Sequence, residues 1–368
     1  MPSDVSTTAQ AATLREHFSQ TILPIWRGPG FNASRQLPYE AVSADAHQPL
    51  PVTRYRAMAC ARQLFVFSQA GDGEHAHRLF ESLTRYFADT RKGGWLYSVD
   101  ANGAPLDTTK DLYTHAFIVF ACAEYFAKFG NRGALATLNE TASLIEARFA
   151  APASNGLLYA ALDEDFATVR EGLLQNPLMH LTEAYLAASE TTSGTAFGDA
   201  LARLALGVAG TFVHAPTGCI AELPIGDADN RFEPGHQFEW FYLVKRAGKT
   251  IAASGLDAAL ERAFDFAQER GIDRATGGVC AALDEQGAVK DATQRIWAQT
   301  EYLRALATRG DSASLQTLPQ QIERFRTRFL HARGWYECKT PEGAVARADM
   351  PSTTPYHLAT AYASLPSN

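Results

Sequence analysis

Four of the ten histidines stand where a loop runs into a long apolar segment. They occur in "KDLYTHAF", "NPLMHLTEAYL", "EPGHQFEW" and "STTPYHLATAY", as His115, His180, His236 and His357. Pro234 and Gly235 predict a helix start at His236, and Glu239 shares the face of that helix because it lies three residues on. The positive end of the helix dipole disfavours protonation, so we expect His236 to be neutral, as a general base must be.

The same segments carry side chains that suit a small, neutral ligand with many hydroxyl groups. Indoles stack on the apolar faces of sugar rings, and amides and carboxylates bind hydroxyls. These candidate ligand contacts are Arg62, Tyr113, His115, Asn176, Trp240, Trp297, Gln299 and Glu301. Because histidine exchanges protons near neutral pH, the combination predicts proton transfer on a sugar.

The elements that position these residues recur about every sixty residues. Each copy has a glycine, a short apolar piece with turn residues, and segments with helical periodicity; the copies open at Gly30, Gly93, Gly156, Gly218, Gly277 and Gly334. Six helical hairpins that close on themselves form an all-α (α/α)6 barrel, with short β-hairpins in the rim loops and residues 1–368 as one domain. An open solenoid of helix pairs is the alternative, although its period is normally shorter.

Composition excludes several classes of protein. A net charge of -7 with no basic run gives no electrostatic footprint for nucleic acid. The longest apolar run, "AFIVFACA", is too short to cross a bilayer, and the first residues lack the apolar core of a secretory signal. The five cysteines are odd in number and far apart, which favours reduced, mostly buried thiols and a cytoplasmic location.

Metal binding and glycoside hydrolysis are competing uses of these residues. The tight pair His75 and His77 lies outside the rim positions and is interpreted as solvated helix surface, and no HExxH or CxxC pattern occurs. Glu239 and Glu301 could flank a glycosidic bond, but the four histidines would then be surplus. We therefore expect neither a metal nor a cofactor.

The five motifs "KDLYTHAF", "NPLMHLTEAYL", "EPGHQFEW", "RIWAQTE" and "STTPYHLATAY", in this order, resemble the N-acylglucosamine 2-epimerase and D-mannose isomerase family over nearly the whole chain. The resemblance implies an (α/α)6 barrel that acts on free monosaccharides without metal, through a cis-enediol. It implies that His236 and His357 are the catalytic pair, that His180 and the carboxylate Glu239 belong to the catalytic set with them, and that Arg62 faces the substrate.

Within that family, "EPGHQFEW" is closer to the mannose isomerase branch, which implies interconversion of D-mannose and D-fructose, with related aldoses such as lyxose as further substrates. Two alternatives stay open: a 2-epimerase acting on N-acylglucosamine, N-acylmannosamine or another free aldose, and a non-catalytic sugar- or protein-binding relative. The expected partner is a free monosaccharide, and a homodimer is one oligomeric state open to the chain.

Because the sequence offers no metal-ligand spacing, activity on free aldoses is expected to survive exhaustive treatment with EDTA. The measurement is the rate of aldose conversion before and after chelation and dialysis. Loss of activity that a divalent ion restores would overturn the metal-free assignment.

Overall fold

The chain forms an (α/α)6 barrel. The structure is a computed structural model, and it describes residues 2–45, 47–152, 156–192 and 194–367. The α-helices are α1 (Pro2–His17), α2 (Leu23–Arg27), α3 (Ala57–Gln69), α4 (Gly73–Phe87), α5 (Leu112–Phe129), α6 (Arg132–Arg148), α7 (Gln175–Thr191), α8 (Ala196–Phe212), α9 (Pro234–Ala247), α10 (Leu256–Gly271), α11 (Ile296–Arg309), α12 (Ser312–Phe329) and α13 (Thr354–Ser364). A π-helical turn, Phe18–Ile22, joins α1 to α2, and a 3₁₀ segment, Gly248–Ser254, follows α9.

Short strands make up the remaining regular structure. They are β1 (Phe31–Asn32), β2 (Leu37–Pro38), β3 (Ala41–Val42), β4 (Tyr55–Arg56), β5 (Ser98–Val99), β6 (Pro105–Asp107), β7 (Lys110–Asp111), β8 (Ala161–Leu162), β9 (Val169–Glu171), β10 (Ala282–Leu283), β11 (Val289–Asp291), β12 (Gln294–Arg295), β13 (Leu330–His331), β14 (Gly334–Trp335), β15 (Cys338–Lys339), β16 (Val345–Arg347) and β17 (Met350–Pro351). All of the pairings between them are antiparallel in the described part of the chain.

The odd-numbered helices from α3 to α13 form the inner ring, and each is buried on nearly every face. A helix that is apolar all round must be enclosed, whereas the even-numbered helices from α4 to α12 bury one face and expose the other. Asp72, Asn131 and Asp311 cap three of these outer helices by accepting hydrogen bonds from backbone amides. The core therefore lies within and around the inner ring.

The ring closes where the last helix, α13, packs against α3. Its outer partner is α1 from the opposite end of the chain, since α1 packs against α12 and α13. Arg15 joins the two ends: its guanidinium donates to the carbonyl oxygens of Tyr362 at 3.1 Å, Leu365 at 2.6 Å and Pro366 at 3.1 Å. The predicted sixth hairpin is therefore assembled from the two termini.

Short strands at one rim lead directly into the inner helices. β4, β7 and β12 end at the residues that precede α3, α5 and α11, and each pairs with the hairpin that follows the outer helix of the same unit. β17 pairs instead with β3, near the start of the chain. This pairing fixes the first turns of the inner helices around a common opening, so the predicted rim hairpins are confirmed.

The sequence-based predictions for the pair His75 and His77 and for the cysteines can be compared with their positions in the structure. His75 is buried between the rings of Phe31 and Phe67, so its assignment to solvated surface is wrong, whereas His77 is half exposed. The five cysteines are unpaired, and all but Cys338 are buried. In the described ranges, no helix has both the length and the apolar character that a membrane span requires.

Replacement of Arg15 by methionine is expected to lower the free energy of unfolding by about 2 kcal/mol, because hydrogen bonds from a charged donor to the closing helix are lost. Chemical denaturation followed by circular dichroism measures this change. Arg132→Met, an exposed residue near the start of α6, is the control, and equal effects of the two substitutions would contradict the role of Arg15.

Candidate active site

A cavity of about 330 Å³ opens at the rim where the inner helices begin. Its walls are polar, and its lining residues are Arg62, Tyr113, Asn176, His180, Glu222, Arg231, Glu233, His236, Glu239, Arg295, Trp297, Glu337, Thr353, Thr354 and His357. Most of the predicted site residues are among them, and they come from all parts of the chain. The repeat therefore does bring these helix starts together.

His236 lies between carboxylates. Its Nδ1 is 2.7 Å from Oε1 of Glu222 and 3.8 Å from Oε2 of Glu233. Burial lowers the pKa of His236, but the charges of Glu222, Glu233 and Glu239 outweigh this effect and raise the pKa to about 9. The expectation of a neutral His236 is therefore wrong, because a full charge at hydrogen-bond distance exceeds the partial charge of the helix terminus.

Glu222 is itself held from behind. Nε2 of Gln175 donates to both of its carboxylate oxygens at 3.0 and 3.1 Å, and Trp240 donates its indole hydrogen to Oε1 of Gln175 at 2.7 Å. Trp240, predicted to contact the ligand, is thus placed behind the wall of the cavity. The chain from Trp240 through Gln175 orients the carboxylate that charges His236.

His357 has the opposite character. Its Nδ1 lies 3.0 Å from Oε1 of Glu301, while burial and the nearby Arg62 guanidinium hold the pKa of His357 well below 6.5. A carboxylate can only accept, so the Nδ1–H of His357 donates to Glu301 and Nε2 keeps its lone pair. Glu301, a predicted ligand contact, therefore lies behind His357 and orients it. Of the imidazoles that line the cavity, His236 is thus charged near neutral pH, whereas His357 is neutral.

Glu239 and His180 form a second polar pair in the wall. Burial and the neighbouring Glu301 and Glu183 raise the pKa of Glu239 well above 4.5. Burial lowers the pKa of His180 to about 4, and its Nδ1 lies 3.8 Å from Glu239. Neither carboxyl oxygen of Glu239 has a hydrogen-bond partner among the described residues. This carboxyl group can therefore bind a ligand hydroxyl.

Arg62 is fixed by stacking and by two hydrogen bonds, one of which runs from Nη1 to the carbonyl oxygen of Thr353 at 3.3 Å. Its guanidinium carbon lies 4.2 Å from the ring centre of Phe117 and 4.7 Å from that of Tyr356, and Nη2 donates to the hydroxyl of Tyr113 at 2.6 Å. Aromatic faces attract a cation and restrict its motion. Arg62 and Tyr113 therefore form one preorganised wall of the cavity.

Trp297 contacts both catalytic candidates. Its ring centre is 4.9 Å from that of His236 and 5.6 Å from that of His357. A Cβ on Gly235 would lie 2.7 Å from the Trp297 ring, so only glycine lets α9 approach the indole this closely. The Pro-Gly-His motif thus positions the indole as well as the helix start.

Two of the predicted ligand contacts lie outside the cavity and instead hold rim loops in place by hydrogen bonds. Nε2 of His115 accepts from the Trp95 amide at 3.2 Å, and Oε1 of Gln299 accepts from the Val279 amide at 2.8 Å. Gln237 binds the Ile220 amide in the same way. His115, Gln237 and Gln299 are each the fourth residue of an inner helix. This repeat position serves the scaffold in these three units.

Three lining carboxylates, Glu222, Glu233 and Glu337, were not among the residues predicted from the sequence. Glu222 and Glu337 lie in the opening pieces "GCIAEL" and "GWYECK", which the sequence pattern predicts only as short β-hairpins. Glu337 accepts from the Trp335 indole at 3.0 Å and from the Thr354 hydroxyl at 2.8 Å. An acid inside a short apolar run was the available signal, since two other copies, "GLLYAAL" and "GGVCAAL", carry only apolar residues there.

Groups of carboxylates and imidazoles in the described residues are close enough to be considered as cation sites. They are His180 with Glu183 and Glu239, His236 with Glu222 and Glu233, and His357 with Glu239 and Glu301. In the last two groups the nearest imidazole nitrogen already shares a hydrogen bond with a carboxylate. In this structure His236 and His357 therefore form hydrogen-bonded pairs with Glu222 and Glu301.

The barrel carries at its rim a polar cavity lined by imidazoles and carboxylates, groups that can exchange protons with a bound ligand. The profile of the N-acylglucosamine 2-epimerase family matches residues 40–361, and the chain belongs to this family. Its relatives are isomerases and epimerases, and the chain is an enzyme of the isomerase class.

Individual relatives agree with this assignment. The chain is 27% identical to "Mannose-6-phosphate isomerase" of Rhizobium meliloti over 95% of each chain. It is 24% identical to "D-mannose isomerase" of Marinomonas mediterranea over 69% of this chain and 70% of that protein. Among solved structures, cellobiose 2-epimerase from Bacillus thermoamylovorans superposes with a TM-score of 0.86 at 19% identity, over 96% of this chain and 98% of that one.

Glu222→Gln is expected to lower the pKa of His236 from about 9, because the nearest negative charge is removed. A group that must be protonated loses function as pH rises through its pKa, so the alkaline limb of kcat/KM should move to lower pH. The measurement is a pH profile of aldose conversion. Glu342→Gln, an exposed rim carboxylate, is the control, and an unmoved limb in Glu222→Gln would contradict the charged state of His236.

Proposed function

We propose that the protein is an aldose–ketose isomerase that interconverts D-mannose and D-fructose, with related aldoses such as lyxose as further substrates. The observation that carries the proposal is a 330 Å³ cavity containing a charged His236 beside a neutral His357. Its volume lies at the small end of the range for ligand pockets, about 300–1,000 Å³, and suits one sugar ring. The relatives named for mannose support the choice of sugar.

The reaction begins from the open-chain aldose, in which the C1 carbonyl makes the C2 proton acidic. Nε2 of His357 removes that proton, while the imidazolium of His236 gives a proton to the C1 oxygen, so that a cis-enediol forms. His357 then returns its proton to C1. His236 recovers a proton from the C2 oxygen, which becomes the ketone, and both histidines are restored to their starting states.

The remaining wall residues orient the sugar in this scheme. Arg62 donates to hydroxyl or enediolate oxygens, and the carboxyl group of Glu239 binds one sugar hydroxyl. Asn176 and Trp297 provide an amide and an aromatic face in the same cavity. No step in this scheme needs a metal or a cofactor.

A sugar 2-epimerase is the second candidate, because the same protonation states favour it. Epimerisation needs one base to take the C2 proton and an acid on the opposite face to return one to C2. A neutral His357 and a charged His236 supply that pair as well. The two candidates differ only in the atom that receives the proton of His236: a sugar oxygen in isomerisation, and C2 in epimerisation.

His357→Asn is expected to lower kcat by roughly 10²-fold or more and to abolish exchange of the C2 proton with solvent, because the base is lost. The measurement is NMR of mannose incubated in heavy water. Near-normal exchange in the folded variant would remove His357 from the proton-abstraction step. His77→Asn, on the exposed face of α4, is the control.

The same heavy-water experiment on the unmodified enzyme separates the two candidates. Isomerisation places deuterium at C1 of fructose, whereas epimerisation places it at C2 of an epimeric aldose. His236→Asn is expected to slow conversion by roughly 10²-fold while C2 exchange decreases less than in His357→Asn. An epimeric aldose as the main product, from mannose or from an N-acylhexosamine, would replace the first candidate with the second.

A further inference from the structure

Arg304 is a buried guanidinium on α11, with 2% of its surface exposed. Its Nη1 lies 3.3 Å from Oε2 of Glu301, and its Nη2 lies 3.6 Å from Oε1 of Glu183. The guanidinium carbon sits 3.5 Å from the ring centre of Tyr242. A charge held this far from water needs partners, and here it has two carboxylates and an aromatic face.

Each of these carboxylates serves a different histidine. Glu301 accepts from Nδ1 of His357 at 3.0 Å, and Glu183 lies 3.5 Å from Nδ1 of His180 while it accepts from the hydroxyl of Tyr356. One guanidinium is therefore shared by two histidine–carboxylate pairs. It does not line the catalytic cavity, so it can act only through Glu301 and Glu183.

Several charged or titratable groups on the inner helices surround Arg304 and its two carboxylate partners. They are Arg62 on α3, His180 and Glu183 on α7, Glu239 and Tyr242 on α9, Glu301 on α11, and Tyr356 and His357 on α13. Burial raises the pKa of Glu301, and the negative charge of Glu183 adds to the rise. Arg304 opposes both effects.

We propose that Arg304 is a positioning residue that keeps Glu301 ionised and thereby holds His357 in the tautomer whose Nε2 is an unprotonated base. This role rests on the proposed function of His357 as the base. Arg304 touches neither the substrate nor the reacting atoms in this assignment. It decides which nitrogen of the imidazole carries the proton.

Loss of Arg304 changes where the protons lie in the hydrogen-bonded pair of Glu301 and His357. Glu301, buried beside Glu183 and Glu239, then takes the Nδ1 proton of His357, and a proton from solvent occupies Nε2. The neutral carboxylic acid donates its hydrogen bond back to Nδ1. The imidazole is still neutral, but its Nε2 no longer has a lone pair for the C2 proton.

Arg304 can also be reached from the other end of the barrel. A second cavity of about 560 Å³ is lined by Arg304 and Glu183 at its base and by Glu190 and Arg246 nearer its mouth. A small cation in solution can enter this cavity without passing through the catalytic one. Guanidinium is therefore a suitable probe for a variant that lacks the Arg304 side chain.

The first test compares Arg304→Met with Arg304→Lys by NMR of the histidine ring nitrogens in the substrate-free enzyme. Nε2 of His357 is expected to be protonated in the methionine variant and unprotonated in the lysine variant and the unmodified enzyme. An unprotonated Nε2 in Arg304→Met overturns the proposal. If that variant does not fold, a protonated Nε2 in folded Arg304→Lys overturns it instead.

The second test is chemical rescue. Arg304→Ala is expected to lose roughly 10²-fold or more in kcat, the usual scale for an acid–base group, and to regain at least tenfold in millimolar guanidinium chloride but not in sodium chloride. Absence of rescue in a folded Arg304→Ala variant counts against the proposal. Arg309→Met is the control and should keep normal activity, because it removes another guanidinium of α11, one that pairs with Asp265 of α10.

The two tests separate this inference from the function on which it rests. The nitrogen spectra need no substrate. A tautomer change in Arg304→Met without any aldose conversion by the unmodified enzyme would leave the role of Arg304 intact and reject the proposed function. Normal conversion of mannose by the unmodified enzyme, together with an unchanged tautomer of His357 in Arg304→Met, would keep the proposed function and reject the role of Arg304.

Discussion

Closure of the inner-helix ring is the constraint on which the site depends. Only when α13 packs against α3 do His357 and Arg62, from opposite ends of the chain, become neighbours. Closure also shields the floor of the cavity from water, so each carboxylate there interacts strongly with the imidazole or guanidinium beside it. The same low polarity makes an unpaired charge costly, and this explains why the floor is a network of paired groups.

The carboxylate behind each histidine makes the two imidazoles different. Glu222 and Glu233 both act on His236; Arg231 pairs with Glu233, but within the described part of the chain no arginine forms an ion pair with Glu222, and the pKa of His236 rises. Glu301 shares its charge with Arg304, while burial and Arg62 keep His357 neutral. Identical side chains thus take different protonation states near neutral pH, because their environments move the pKa values apart.

The repeat uses equivalent positions for different purposes. The fourth residue of α5, α9 and α11 pins the adjacent rim loop through His115, Gln237 or Gln299, whereas the fourth residue of α13 is His357. A side chain at this position can reach either the loop or the cavity. The first turns of the inner helices therefore carry both residues that hold the rim loops and residues that line the cavity. A histidine at a repeat position is not by itself a sign of catalysis.

The sequence by itself determined the barrel and much of the cavity wall. Repeat period and helix-start signals are local, and residues such as His236, His180 and Asn176 follow from them. Only the tertiary structure decided that Glu222 charges His236 and that His115 holds a loop. Protonation depends on burial and on charges a few ångströms away, and those neighbours come from segments that the linear pattern does not connect.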